Sequence, residues 1–165
     1  MNTTIYLRPL RIEDAQVSYR WRNDPAIWTY TGSRPSHEIT YEIEEKWLIG
    51  TFDKKDQMRF AICILETDTY IGNIQLINIS NGTADLHLFI GEKSFWGQNI
   101  GFESILQLLR IGFLKQQLLE IHLTVHAKHQ AAIALYTKAG FEQTGTIEDL
   151  ISMKISKSLF LSLTN

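Results

Sequence analysis

The chain has 165 residues, 44% of them apolar and 21% charged, the balance of one globular domain spanning 1–165 with a core of its own. Sixteen basic against eighteen acidic residues leave a net charge of −2, which argues against a general nucleic-acid binder. The lone cysteine, Cys63, excludes an internal disulfide, and no apolar run nears the ~20 residues that span a bilayer. With no basic-then-apolar leader in MNTTIYLRPL, the expectation is a cytoplasmic protein without membrane contact.

In chain order, Thr4 to Leu10 reads as a strand and Ala15 to Trp21 as a helix with Asp14 at its start. Trp21-Arg22-Asn23-Asp24-Pro25 closes that helix. Residues 26–35 form a loop carrying Trp28 and Tyr30, and a second helix over about 37–50 places Ile39, Ile43, Trp47 and Leu48 on one face. Strands follow at Met58 to Leu65, Tyr70 to Ile79 and Thr83 to Ile90, the last two joined by the Asn81-Gly82 hairpin signal, so the three read as an antiparallel meander.

The apolar run of the third meander strand stops at Gly91, and Trp96-Gly97-Gln98-Asn99-Ile100-Gly101 leads into a helix from Phe102 to Gln117. Strand, short loop and helix together can hold a phosphate, because the first helical turn leaves backbone N–H groups without partners and the helix dipole adds positive charge there. Glu120 to His126 then alternates as a strand, Ala131 to Ala139 is a helix stopped by Gly140, and Asp149 to Ile155 is a last strand. The pattern predicts an α/β fold: a central mixed sheet with an antiparallel N-terminal meander and helices on both faces.

These pieces, taken in order, resemble the GCN5-related N-acetyltransferases (GNAT), within them the branch named for the ribosomal-protein acetyltransferases RimJ and RimL. The resemblance rests on IYLRPLRIED at Ile5–Asp14, on Trp21 to Pro25, on WGQNIGFES at Trp96–Ser104, on HQAAIALYTKAGF at His129–Phe141, and on the spacing of Asp149 and Met153. It implies a fold of that family and transfer of acetyl from acetyl-CoA to a primary amine, such as a protein N-terminus, an amino sugar or another small amine. By resemblance, the cofactor's pyrophosphate faces the backbone of Gly97, Gln98, Asn99, Ile100, Gly101 and Phe102. Its pantetheine arm runs along Phe89 and Ile90 and past His129, Ala132 and Tyr136. Asn99 stands where the family has glycine, and asparagine is the next most tolerant residue of a positive φ. His129 stands where the family has asparagine.

Tyr136 occupies the family's tyrosine position and is expected to protonate the departing thiolate. For the base, Asp85 and His87 share one face of the third meander strand and both stay open, directly or through water. Trp28 and Tyr30 are the acceptor-binding candidates. His122, His126 and His129 lack the partners of a metal set, so no metal is expected. Glu38, Glu42, Glu44 and Glu45 read as a solvated helix face. The resemblance also suggests a homodimer. Two other readings compete: a non-catalytic acyl-CoA-binding sensor or scaffold, prompted by Asn99 and His129, and a dinucleotide-binding oxidoreductase. The second needs a G-x-G-x-x-G pattern that the loop lacks.

Overall fold

The computed structural model describes residues 3–31 and 34–164. Strand β1 (Ile5–Pro9) leads through a 3-10 turn at Ile12–Asp14 into α1 (Ala15–Asn23), and α2 is Tyr41–Phe52. The meander is β2 (Met58–Ile64), β3 (Tyr70–Ser80) and β4 (Thr83–Ile90). Helix α3 (Ile100–Arg110) widens into a π-helical turn at Ile111–Lys115, followed by β5 (Glu120–His126) and α4 (Gln130–Lys138). A hairpin of β6 (Glu142–Ile147) and β7 (Leu150–Ser156) precedes α5 (Lys157–Thr164).

The strands form one sheet in the order β1-β2-β3-β4-β5-β7-β6, antiparallel throughout except for the parallel pair β4–β5. Alternation along β2 shows how the two faces are filled. Phe60, Ile62 and Ile64 pack on the side of Ile105, Leu108, Leu109 and Phe113 of α3 and Phe160 of α5, whereas Ala61 and Cys63 pack with Ala15, Trp21 and Leu48 of α1 and α2. Helices therefore cover both faces, as the sequence pattern predicts. Gly91 marks the closest approach of helix to sheet: a Cβ there would lie 2.0 Å from the Trp21 ring, so no other residue fits beneath that indole.

Glu44, expected on a solvated helix face, is instead 2% exposed and accepts from Ser18 Oγ at 2.8 Å, and the elements differ from the sequence reading in four places. Helix α2 begins at Tyr41 rather than near 37, because Thr40 is extended (φ −82°, ψ 166°) and its side chain caps Ile43 N–H. Strand β6 has no counterpart in the sequence reading: it is exposed along its whole length, so no alternation betrays it. The apolar tail forms α5 and buries Phe160 against Phe113, ring centroids 5.3 Å apart. The fourth is the π turn that ends α3. The loop expected over 26–35 is a series of tight turns across residues 25–30, and residues 32–33 lie outside the described part.

What positions the site is a fault in the sheet. Strand β5 pairs with β7 along its whole length, but with β4 only at Thr83↔Glu120, Ala84↔Ile121 and Asp85↔His122. Beyond Asp85 the two parallel strands diverge, leaving a wedge between Leu86–Ile90 and the second half of β5. Gly91 N–H bonds to Ile71 O of β3, so by strand alternation Leu88 and Ile90 turn their backbone groups into the wedge. The Ile90 carbonyl there accepts from Trp96 Nε1 at 2.9 Å.

Candidate active site

At one end of the wedge lies the start of α3. Asn99 has φ 64° and ψ 6°, the left-handed conformation in which glycine is cheapest, so asparagine does take glycine's part here. Its carboxamide does not cap the helix; Oδ1 instead accepts from Lys138 Nζ at 2.9 Å, and that ammonium sits 4.1 Å over the Phe102 ring. The N–H groups of the first turn, from Ile100 to Phe102, are thus left without a capping side chain. Gly97 has φ 76° and open space where a side chain would stand, while Gly101 backs onto Leu135 of α4. Gln98 turns its amide to Ser94 O at 2.9 Å. A positive helix end with bare N–H groups and open space before it suits a pyrophosphate.

Along the wedge the expected arm-binding residues divide. The Ile90 side chain packs with the α3-side core, and so do Ala132 and Tyr136, which are buried. The Phe89 side chain turns to the other face, 5.2 Å from Trp28 and 6.0 Å from Trp21, and its backbone, in phase with Gly91, turns to β3, so the wedge-facing backbone is that of Leu88 and Ile90 instead. His129 precedes α4 and stacks on Tyr30, centroids 4.6 Å apart and planes at 21°. Burial and His126 hold its imidazole below the ordinary histidine range.

Tyr136 is 8% exposed, edge-on to Phe141 at 5.8 Å. Burial pushes its phenol up to about 12, so it keeps its proton at neutral pH. It belongs to the α3 side of the sheet. Asp85 and His87 stand on the opposite face, where they line a cleft of about 270 Å³ with His122, Leu123, Thr124, Ser152 and Met153. Donor and base candidates thus lie on opposite faces of the sheet. Asp85 Oδ2 accepts from Asn78 Nδ2 at 2.7 Å, with Asn78 at φ 52° in the irregularity between β3 and β4. His87 opens to the cleft, yet desolvation by the surrounding protein, with Arg59, holds its imidazole below the ordinary range against the opposing pull of Asp85. It is the neutral form, able to accept a proton.

The sequence reading missed the β5 and β7 walls of this cleft. His122 lies directly across from Asp85, and its Nε2 is 3.1 Å from Glu120 Oε2, while Lys154 Nζ of β7 is 2.8 Å from Glu120 Oε1. The hydrogen bond from Lys154 holds the Glu120 carboxyl below the usual range. The alternation of EIHLTVH already set His122 and Thr124 opposite the apolar Ile121 and Leu123. What could not be read was which strand lies beside β5.

The loop bearing Trp28 and Tyr30 bridges the wedge. Trp28 Nε1 donates to Trp21 O at 2.8 Å and its ring lies on Phe89 of β4, while Tyr30 reaches His129 and His126 on the β5–α4 side. Both acceptor candidates therefore stand at the mouth of the site. Among the described residues no group of three or more His, Cys, Asp or Glu is placed to hold a metal ion, and no helix is long and apolar enough to cross a membrane.

A family model described as "Acetyltransferase (GNAT) domain" matches residues 4–142. The chain is 27% identical to "Uncharacterized N-acetyltransferase p20" of Bacillus licheniformis over 87% of its own length and 82% of that protein. It is 28% identical to the spermidine N(1)-acetyltransferase of Thermoplasma acidophilum, covering 87% and 91% of the two chains. The spermidine N-acetyltransferase of Vibrio cholerae, solved with CoA and spermine, has the same fold, with a TM-score of 0.86 at 22% identity over 95% of this chain and 98% of that one. The chain belongs to the GNAT acetyltransferase family, whose members take their acetyl group from acetyl-CoA.

Proposed function

We propose that this acetyltransferase acts on a primary amine that enters the cleft beside Asp85 and His87, with the acetyl donor held in the wedge between β4 and β5. The observation that carries this reading is the parting of β4 from β5 just after Asp85, between an uncapped helix start at one end and the histidine-lined cleft on one face.

Acetyl-CoA supplies an acetyl group already activated as a thioester. The N–H groups from Gln98 to Phe102 hold its pyrophosphate, and the backbone of Leu88 and Ile90 pairs with its arm as with an added strand. Asp85 or His87 takes the proton that the ammonium must lose, directly or through one water. Tyr136 gives its proton to the sulfur as the C–S bond breaks; a buried phenol that stays protonated suits a donor. Trp28 and Tyr30 close over the acceptor and exclude water.

The finer placement in the RimJ/RimL-like branch, the cytoplasmic location and a homodimer are proposed on the resemblance. The buried Cys63, whose thiol burial pushes up, is in keeping with a reducing compartment. Release of free thiol from acetyl-CoA across a panel of amines tests the reading. At least one primary amine should be acetylated with saturation in both substrates, and hydrolysis alone, with no amine dependence, would contradict it.

A further inference from the structure

On the sheet face that carries His87, two arginines make no ion pair among the described residues. The guanidinium carbons of Arg22 in α1 and Arg59 in β2 lie 5.3 and 5.0 Å from the ring centroid of Trp47 in α2. Arg22 also lies 5.8 Å from the ring of Trp28, which in turn rests on Phe89. Arg59 Nη1 donates to Gln75 Oε1 at 2.6 Å. Arg59 is the register partner of Gln75 and Gln75 that of His87, so the three form one row across β2, β3 and β4 on a common face. Arg59 thus stands two strands from His87, roughly 10 Å by strand spacing, with Gln75 between them, within the span of a short amino acid lying across that face.

Both arginines are partly buried, and the ion pairs among the described residues are Arg8–Asp14, Lys93–Asp24 and those of Glu120, none of which involves either. Two like charges half out of water repel each other unless an anion is placed between them. The direction of the Arg59 shift agrees: burial first, then Arg22, hold its guanidinium below the ordinary range against the opposing pull of Asp56. The Trp47 ring holds both guanidinium groups within cation–π distance, and arginine is the side chain best suited to bind carboxylate or phosphate with two parallel hydrogen bonds. At the other side of His87, Asp85 offers a negative charge to an incoming ammonium. The face thus has a positive and a negative end. A polyamine would place a second ammonium against two guanidinium groups, which is unfavourable.

We propose that Arg22 and Arg59 form the anion-recognition end of the acceptor site, so that the acetylated amine carries a carboxylate or phosphate group and not further ammonium groups. This rests on the reading of the Asp85–His87 cleft as the acceptor site.

The test is steady-state thiol release with ω-amino acids of two to six carbons, aminoalkyl phosphates of the same lengths, plain alkylamines and diamines. The best anionic amine should exceed its alkylamine counterpart in kcat/KM at least tenfold, an advantage that falls with added salt. The carboxylate and phosphate series distinguish the two sources of the anion. Arg22→Met and Arg59→Met should each reduce the ratio of anionic to plain amine at least tenfold, mainly through KM. Arg22 makes no side-chain hydrogen bond among the described residues, so Arg22→Met keeps the test open if Arg59→Met fails to fold. A preference for diamines or plain alkylamines, or an anionic preference that survives both substitutions, would overturn the proposal while leaving the acetyltransferase intact. Failure of every amine would remove the acceptor reading and this proposal with it.

Discussion

Asn99 turns its backbone to φ 64° without help from its own helix, and its carboxamide goes to Lys138. If the left-handed turn is what the loop needs, Asn99→Gly should leave acetyl-CoA affinity unchanged or improve it, as read by isothermal titration; a tenfold loss would show that the carboxamide and Lys138 act on the cofactor. Tyr136 was legible from its place before Gly140, but its burial was not. Because the phenol sits at about 12, Tyr136→Phe should cut acetyl transfer at least tenfold with little change in acetyl-CoA binding. Transfer at the wild-type rate would remove it as the proton donor. His87 and His129 are both held below the ordinary value near 6.5. Below that pH the unfolded chain binds more protons than the folded one, so their contribution to stability is present above it and lost on acidification. Urea denaturation of His87→Gln should therefore show less loss of stability between pH 7 and pH 5 than wild type does. An equal loss would mean that His87 is not the group desolvated.

Among the elements, the long ones with a periodic buried face were legible, while the short α5, which buries Phe160, and the exposed β6 were not. Helix α3 and strand β5 announced themselves by period, because Ile105, Leu108 and Leu109, and then Ile121, Leu123 and Val125, all turn to one core. Strand β6 is exposed on both sides and carries no such signal. The π turn at Ile111–Lys115 is a matter of backbone register, which no apolar pattern records. It sets Phe113, fully buried, against Phe160 of α5. Phe113→Ala should thus cost about 3–5 kcal/mol in denaturant unfolding, the usual range for a core phenylalanine. A loss below about 1 kcal/mol would mean that α5 is not seated there as described. The positions of Trp28 and Tyr30 were likewise illegible. A loop's aromatic residues can be recognised, but which strands they reach depends on a sheet order that is settled only by long-range pairing.

For the whole molecule, the meander, the helices on both faces and the order of elements as far as α4 followed from sequence, while the proposed function depends on a pairing that fails. Three registered pairs join β4 to β5 before the strands part. A sequence of two alternating strands gives no sign of where their ladder ends, because each strand satisfies its apolar face in the same way whether or not its edge is bonded. On the proposed reading, the parting lets the chain hold a donor within its sheet and meet an acceptor from one face. On the same reading, Tyr136 on one face and Asp85 and His87 on the other would serve a single bond through this gap. Backbone amide NMR during titration with acetyl-CoA tests this most directly. The account predicts saturable shifts concentrated at Leu88 to Gly91 and at Gly97 to Phe102, with β1 and β2 undisturbed. Shifts spread over β6 and β7 without those two segments, or no shift at all at millimolar ligand, would contradict it.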